Sequence, residues 1–287
     1  MNETSHSARI PDDTDASRPT PLLSVVIPTR NEERNIGKCI DALRGAGDWI
    51  EIIVVDNASD DATREIALSR GVRFFEQGPE RSAQRNRGWR EASAPFVCFL
   101  DADMRMLPET LDEIRGRITA SDAPDALYIR ETRVGDGWWI RVRNFERSFY
   151  DATCIDALRV FRKTLLEKTG GYDETITGEE DWDLDRLCLA AGARVELTDG
   201  ALLHDEGRFS WRRHLRKKAY YSGTMRRYRD KWDNDAIIRK QLGIGYRFFG
   251  VFLEHGKWRK ALRHPLMMAS IYFERAVVGA TYLLRRR

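Results

Sequence analysis

Short apolar runs alternate with helical patterns through the first third of the chain, and each run stops at polar residues. LLSVVIPT (Leu22–Thr29) is β-branched and broken by Pro28; it reads as a strand buried on both faces. In NEERNIGKCIDALRGAG, the residues Ile36, Cys39, Ile40 and Leu43 fall at helical spacing, and Gly45 and Gly47 supply a stop. EIIVVDNAS (Glu51–Ser59), VRFFEQ and FVCFLDADM (Phe96–Met104) read as further strands, with helices over Ala62–Arg70 and Ser82–Ser93 between them. This alternation predicts repeated βαβ units and a parallel sheet. Right-handed crossovers then bring the carboxyl ends of the strands to one edge, where such sheets bind ligands. A helix near Pro108–Ile118, a strand over DALYIRETRV (Asp125–Val134) and a mainly helical stretch beyond Trp211 follow. The expected fold class is α/β: a mainly parallel, Rossmann-like sheet flanked by helices, with a basic helical C-terminal extension.

Composition supports one large domain plus that extension. The chain has 287 residues, 42% apolar and 32% charged, with both signs mixed, which fits a globular protein better than a disordered one. A net charge of +3 hides an asymmetry, because Gly200 to Arg287 holds 21 Lys and Arg against 7 Asp and Glu. Two halves of opposite sign are expected to meet different partners. Cys39, Cys98, Cys154 and Cys188 are scattered without a CxxC pair, so reduced thiols in a cytosolic protein are expected. The N-terminus lacks an apolar leader-like segment, and residues 1–21, rich in Ser, Thr, Asp and Pro, are expected to form a disordered tail.

Three strand ends carry the candidate chemistry: PTRNEE, DNASDD and DADM. One such end is an ordinary solvated loop; three on one sheet edge predict a pocket. In extended chain, side chains at i and i+2 point the same way, so Asp101 and Asp103 would face one site while Ala102 points away. Adjacent carboxylates repel unless a cation lies between them. Hard oxygen ligands select Mg2+ or Mn2+, ions that commonly also bind substrate phosphates. The alternative for these two aspartates is an acidic turn.

The ordered set SVVIPTRNEERNI, VVDNASDDAT, ERSAQRNRG, FLDADM and GGYDETITGEEDWDLDRL resembles the motifs of the inverting GT-A glycosyltransferases of family 2, over roughly Leu23 to Leu203. The resemblance implies a GT-A catalytic domain over 22–207, with a nucleotide half at 22–104 and an acceptor half at 105–207. It implies that Pro28, Thr29, Asn31 and Glu32 hold the nucleotide and that Asp56 reads the base edge. It also implies that Asp101 and Ala102 belong to the donor site, and that Asp101 and Asp103 hold a metal bridging the diphosphate. Arg81 and Arg85 would neutralise that diphosphate, for which a planar guanidinium is suited; a solvated helix arginine is the other reading of Arg85. Asp181 aligns with the general base that an acceptor hydroxyl needs, although EED leaves Glu179 and Glu180 open if the register slips. Asp183 and Arg186 read as a structural i, i+3 pair, and Gly170–Gly171 as a tight turn bringing backbone to the acceptor or sugar. His204, in LLHDEG, stands where related enzymes often carry a third metal ligand; a lone histidine otherwise needs no such role.

Arg208 to Lys231 interleaves ten Lys and Arg with Phe209, Trp211, Tyr220, Tyr221 and Tyr228. No nucleic-acid motif accompanies them, so the expectation for 208–287 is an anionic membrane surface or a lipid-linked acceptor. In Pro265–Arg287 two apolar runs are split by Glu274–Arg275, short of a spanning helix. An interfacial helix is favoured over one packed on protein. The function expected is metal-dependent, inverting transfer of a sugar from a UDP- or GDP-linked donor to the hydroxyl of a glycan or lipid-linked acceptor. The enzyme would lie peripherally on the inner face of the cell membrane. The alternatives are transfer to a polyprenyl phosphate, which needs no base; a nucleotidyltransferase, against which the glycine-free PTRNEE counts; and a non-catalytic binding module.

Overall fold

The run LSVVIPT is buried at every position, which explains why β-branched residues fill it without alternation. It forms β1 (Leu23–Thr29), third in an eight-stranded sheet of order β3-β2-β1-β4-β7-β6-β8-β5. The other strands are β2 (Ile50–Asp56), β3 (Arg73–Glu76), β4 (Phe96–Phe99), β5 (Met104–Met106), β6 (Ala126–Val134), β7 (Leu158–Arg162) and β8 (Val195–Asp205). The computed structural model describes residues 20–221, 223–233 and 235–285. The expected N-terminal tail lies outside them apart from Thr20 and Pro21, as do Arg286 and Arg287.

The sheet is parallel through β3, β2, β1 and β4, as βαβ alternation requires. It turns mixed in the second half, where β7 runs antiparallel to β4 and β6, and β5 antiparallel to β8. Helices α1 (Ile36–Arg44), α2 (Thr63–Ser69), α3 (Arg81–Glu91), α4 (Pro108–Thr119), α5 (Trp138–Arg147), α6 (Lys163–Thr169) and α7 (Glu180–Ala190) flank it. Apolar cores fill both faces, one against α1 and α4, the other against α3, α6 and α7. Helix α3 sits unusually close to the sheet: a Cβ on Gly88 would stand 2.2 Å from a Val26 methyl.

The segment read as one strand, FVCFLDADM, is two. β4 ends at Phe99, and a turn closed by the Met104 N–H donating to the Asp101 carbonyl (2.9 Å) precedes β5. The i, i+2 argument therefore does not hold for Asp101 and Asp103, because the chain there is not extended. Gly170–Gly171 forms the tight turn expected, and Gly171 makes a close contact within the protein. Both have positive φ, and a Cβ on Gly171 would meet Asn86 Oδ1 and Trp89 Nε1 at 2.6 Å. The Gly171 backbone approaches α3 here, whereas a Cβ on Gly170 would meet nothing within 4 Å. Cys39, Cys98 and Cys188 are buried, and all four cysteines are free.

The C-terminal region adds α8 (Trp211–Tyr221), α9 (Met225–Lys231), α10 (Ala236–Leu242), α11 (Val251–Leu253), α12 (Trp258–Arg263) and α13 (Pro265–Arg285). Part of the charge asymmetry is answered inside the molecule. Lys231 Nζ donates to Asp173 and Asp183 at 2.8 Å each, and Arg186 pairs with Asp235. Asp183 and Arg186 thus face the C-terminal region and not each other. Helix α13 packs on α5 and α8: Ile271 and Glu274 are buried, and Arg275 donates to Glu146 and, at 2.9 Å, to the Tyr150 hydroxyl. The residues that split its apolar runs are the ones that dock it. Among the described residues no helix is long and apolar enough to cross a membrane.

Candidate functional site

The carboxyl ends of β1, β2 and β4 converge as the alternation predicts, and α3 fastens them together. Gln84 Nε2 donates to the carbonyls of Thr29 (2.8 Å) and Val55 (2.7 Å), satisfying groups at both strand ends from one buried side chain. Asn86 receives the Tyr172 N–H (2.9 Å) and donates to the Tyr172 carbonyl (2.9 Å), tying the same helix to the segment before α7. Neither residue was singled out from the sequence, although both lie in ERSAQRNRG; their burial is tertiary and leaves no apolar signature.

The nucleotide candidates line the β1 and β2 ends. Thr29 and Asp56 are buried; the Thr29 hydroxyl donates to Asp56 Oδ1 (2.8 Å), and Ser59 donates through its N–H (2.8 Å) and hydroxyl (2.6 Å). Asp56 is thereby held as a fixed acceptor at the strand end. Asn31, at φ 57, bridges to the β2 loop: its N–H donates to the Ser59 hydroxyl at 2.8 Å and its Oδ1 accepts from Asp60 N–H at 3.0 Å. Pro28 is buried in β1. Glu32 is partly buried; burial, then the charges of Asp103 and Asp101, push its carboxyl above the ordinary range.

The acidic centres meet through Arg85, which is 1% exposed. Its Nη2 donates to Asp101 Oδ1 at 3.0 Å and its Nη1 to Asp181 Oδ1 at 2.8 Å, while its guanidinium lies 5.1 Å from the Tyr172 ring centroid. It is therefore neither a solvated arginine nor one with a free fork for phosphate. Arg81 is the exposed partner, 37% accessible, with Nη1 3.8 Å from Asp101 and Nη2 3.3 Å from Glu180. Burial pushes the Asp101 carboxyl up, but Arg85, Arg81 and Arg159 together hold it far below the usual range.

Asp181 opens α7 with its side chain 27% exposed, against 3% for Glu180. Glu179 is also buried and accepts from the Thr224 hydroxyl at 3.2 Å. Burial raises Glu179 to about 7, and burial with the Asp181 charge raises Glu180. Of the three, Asp181 alone reaches open space. Its Oδ1 holds Arg85 and lies 3.4 Å from the Tyr172 hydroxyl; its Oδ2 has no hydrogen bond among the described residues.

On the other side, Met104 pairs with His204 across β5 and β8. His204 Nε2 stands 3.3 Å from Asp103 Oδ2, and Nδ1 is 2.8 Å from Glu131 Oε1. Burial lowers the imidazole, but the hydrogen bonds to Asp103 and Glu131 outweigh it and raise it to about 9. A histidine that gives Nδ1–H to a carboxylate and turns Nε2 to an aspartate has the second-shell arrangement of a metal ligand. Asp103 and His204 fit a hard divalent ion completed by substrate oxygens. Asp101 is turned to the arginines instead, and among the described residues no three His, Cys, Asp or Glu are grouped as a ligand set. Glu131 escaped sequence reading because a lone glutamate in a strand is unremarkable until β6 pairs with β8.

A Rossmann-like parallel half, a mixed second half and acidic groups on their common edge define a GT-A fold. The chain belongs to glycosyl transferase family 2, whose model matches residues 24–170. A pre-mycofactocin glycosyltransferase of Mycobacterium tuberculosis is 28% identical over 228 residues, covering 70% of this chain and 46% of that protein. Glycosyltransferase AglE of Haloferax volcanii is 37% identical over 93 residues, 29% of this chain and 31% of the other. The chain thus spans less than half the length of these relatives. In fold it is similar to S. aureus TarS 1-349 (TM-score 0.58, 21% identity, 82% of this chain and 75% of that one). It is also similar to the mannosyltransferase PcManGT of Pyrobaculum calidifontis in complex with GDP-Man and Mn2+ (TM-score 0.58, 19% identity, 91% and 75%).

Proposed function

We propose that the protein transfers a sugar from a nucleoside-diphosphate sugar to an acceptor hydroxyl, with inversion and with a divalent metal. The observation that carries the proposal is Arg85, which sets Asp101, on the donor side, and Asp181, on the acceptor side, into one site at 3.0 and 2.8 Å. Pro28, Thr29, Asn31, Glu32 and Asp56 would hold the nucleoside, with Asp101 and Ala102 beneath it and Arg81 at the diphosphate. Asp103 and His204, with Asp101 beside them, would hold Mg2+ or Mn2+, whose chemistry is to stabilise charge on the departing diphosphate. A TarS structure holds UDP-GlcNAc and PcManGT holds GDP-Man with Mn2+, which supports a donor and metal of these classes.

Asp181 is the base in this reading. Arg85 fixes Oδ1 so that Oδ2 faces the acceptor, and Oδ2 takes the hydroxyl proton as the oxygen attacks. Attack from the face opposite the leaving group inverts the anomeric centre. The C-terminal region, 208–287, is proposed to rest peripherally on an anionic membrane surface where a lipid-linked or other glycan acceptor is met. Support comes from its excess of Lys and Arg and from exposed Ile244, Leu253, Leu262, Leu266 and Phe273. If neither UDP- nor GDP-linked sugars bind or turn over with Mg2+ or Mn2+, the reading fails.

A further inference from the structure

One buried cation has no part in the scheme above. Arg159, on β7, is 9% exposed, yet among the described residues its guanidinium makes no hydrogen bond, and its one ion-pair contact is Glu131 at 3.7 Å. The other buried arginines are each bonded to a carboxylate: Arg85 to Asp181, Arg147 to Asp156, Arg186 to Asp235. Its nitrogens have no hydrogen-bond partner there yet are not sealed from solvent, so a mostly buried fork keeps N–H donors open to a ligand.

Position narrows what fills them. β7 pairs with β4 at Cys98↔Val160, which sets Arg159 one step further along, beside the end of β4 and the Asp101 turn. Burial pushes its guanidinium down, but Asp101, then Asp181 and Glu131, hold it charged. Its charge is thus felt by both acidic centres of the site. The diphosphate already has exposed Arg81 and the Asp103–His204 pair. A fork that matches oxyanions bidentately, on β7 next to the end of β4 and within electrostatic reach of the base, suits an acid group next to the attacked hydroxyl.

Resting on the transferase reading, we propose that Arg159 is a substrate-binding residue that receives a phosphate or carboxylate carried by the acceptor. The test uses the full chain saturated with UDP and Mg2+, or GDP where UDP does not bind, titrated with inorganic phosphate and, separately, acetate while thermal stability is followed. The wild type should show a saturable upward shift with at least one anion, phosphate alone indicating a phosphorylated acceptor and acetate a carboxylated one. R159M should weaken that anion about tenfold, the loss expected for a charge-assisted bond, with R159K between, while UDP affinity stays within about twofold. Equal anion response in wild type and R159M overturns the proposal. So does an equal loss of UDP affinity, which would make Arg159 a diphosphate ligand. If no nucleotide binds, the transferase reading fails; the same titration without nucleotide still decides whether Arg159 holds an anion.

Discussion

At the residue scale the sharpest expectation concerns Asp181. Asp181→Asn keeps the hydrogen bond to Arg85 available through its amide oxygen but cannot accept a proton. Transfer should fall by about 100- to 10,000-fold, the usual range for losing a general base, while UDP or GDP affinity with Mn2+ is unchanged by calorimetry. An active Asp181→Asn enzyme would instead favour an acceptor that is already an anion. His204→Ala and Asp103→Asn should do the reverse, weakening Mn2+-dependent nucleotide binding and leaving metal-free nucleotide binding nearly intact. Glu179 offers a pH signature. Its folded pKa of about 7 lies above the unfolded 4.5, so the native state binds the proton more tightly. The stability this contributes is complete below pH 4.5 and lost as pH rises through 7. Urea titrations of wild type and Glu179→Gln should therefore diverge between these values, with the variant gaining relative stability toward high pH.

At the element scale, α3 is the member to perturb. It contacts β1 closely at Gly88, carries the Gln84 and Asn86 bonds, and presents Arg85 and Arg81. Gly171→Ala would press a methyl into Asn86 and Trp89 at a positive φ. A loss of about 1–3 kcal/mol is expected in chemical denaturation, with activity falling because α3 moves. Strands β1 to β4 and β6 were legible as apolar runs, whereas β5 and β7 were not; the candidates Thr29, Asp56, Asp103 and His204 stand where such runs stop. What the sequence did not show is what long-range pairing decides. Asp101 and Asp103 diverge because β4 ends early, Arg85 is enclosed by Asp101, Asp181 and the Tyr172 ring, and Asp183 and Arg186 turn away from each other to Lys231 and Asp235. Periodicity reports a residue's own element; it is silent on which charge from far along the chain will face it.

At the scale of the whole molecule, the basic half is not simply a surface awaiting a partner. Lys231 neutralises the acidic helix and Arg275 docks α13. What remains outward is a mixture of cations and apolar side chains, Leu262 and Leu266 at 72% and 73% exposure. Co-sedimentation with vesicles containing phosphatidylserine should show binding that weakens from 0.05 to 0.5 M salt, as screening at roughly a Debye length requires. Leu262→Glu with Leu266→Glu should lower vesicle affinity at least about tenfold without changing sugar-nucleotide binding. Binding equal on neutral and anionic vesicles would remove the electrostatic part of the argument.

The spacing between Asp103 and His204 is governed by backbone, since Met104 and His204 are ladder partners across β5 and β8. The ladder acts as a ruler, and its smallest division is one residue. A single insertion between Leu202 and His204 would slide Leu203 opposite Met104 and turn the imidazole to the other face of the sheet. Asp199–Gly200 lies before the pairing with β5, where the β6–β8 ladder already shifts register between Leu197 and Ala201, so an insertion there meets an existing irregularity. Length variation in this strand is thus filtered by place: met by an existing irregularity at its middle, forbidden within three residues of its end.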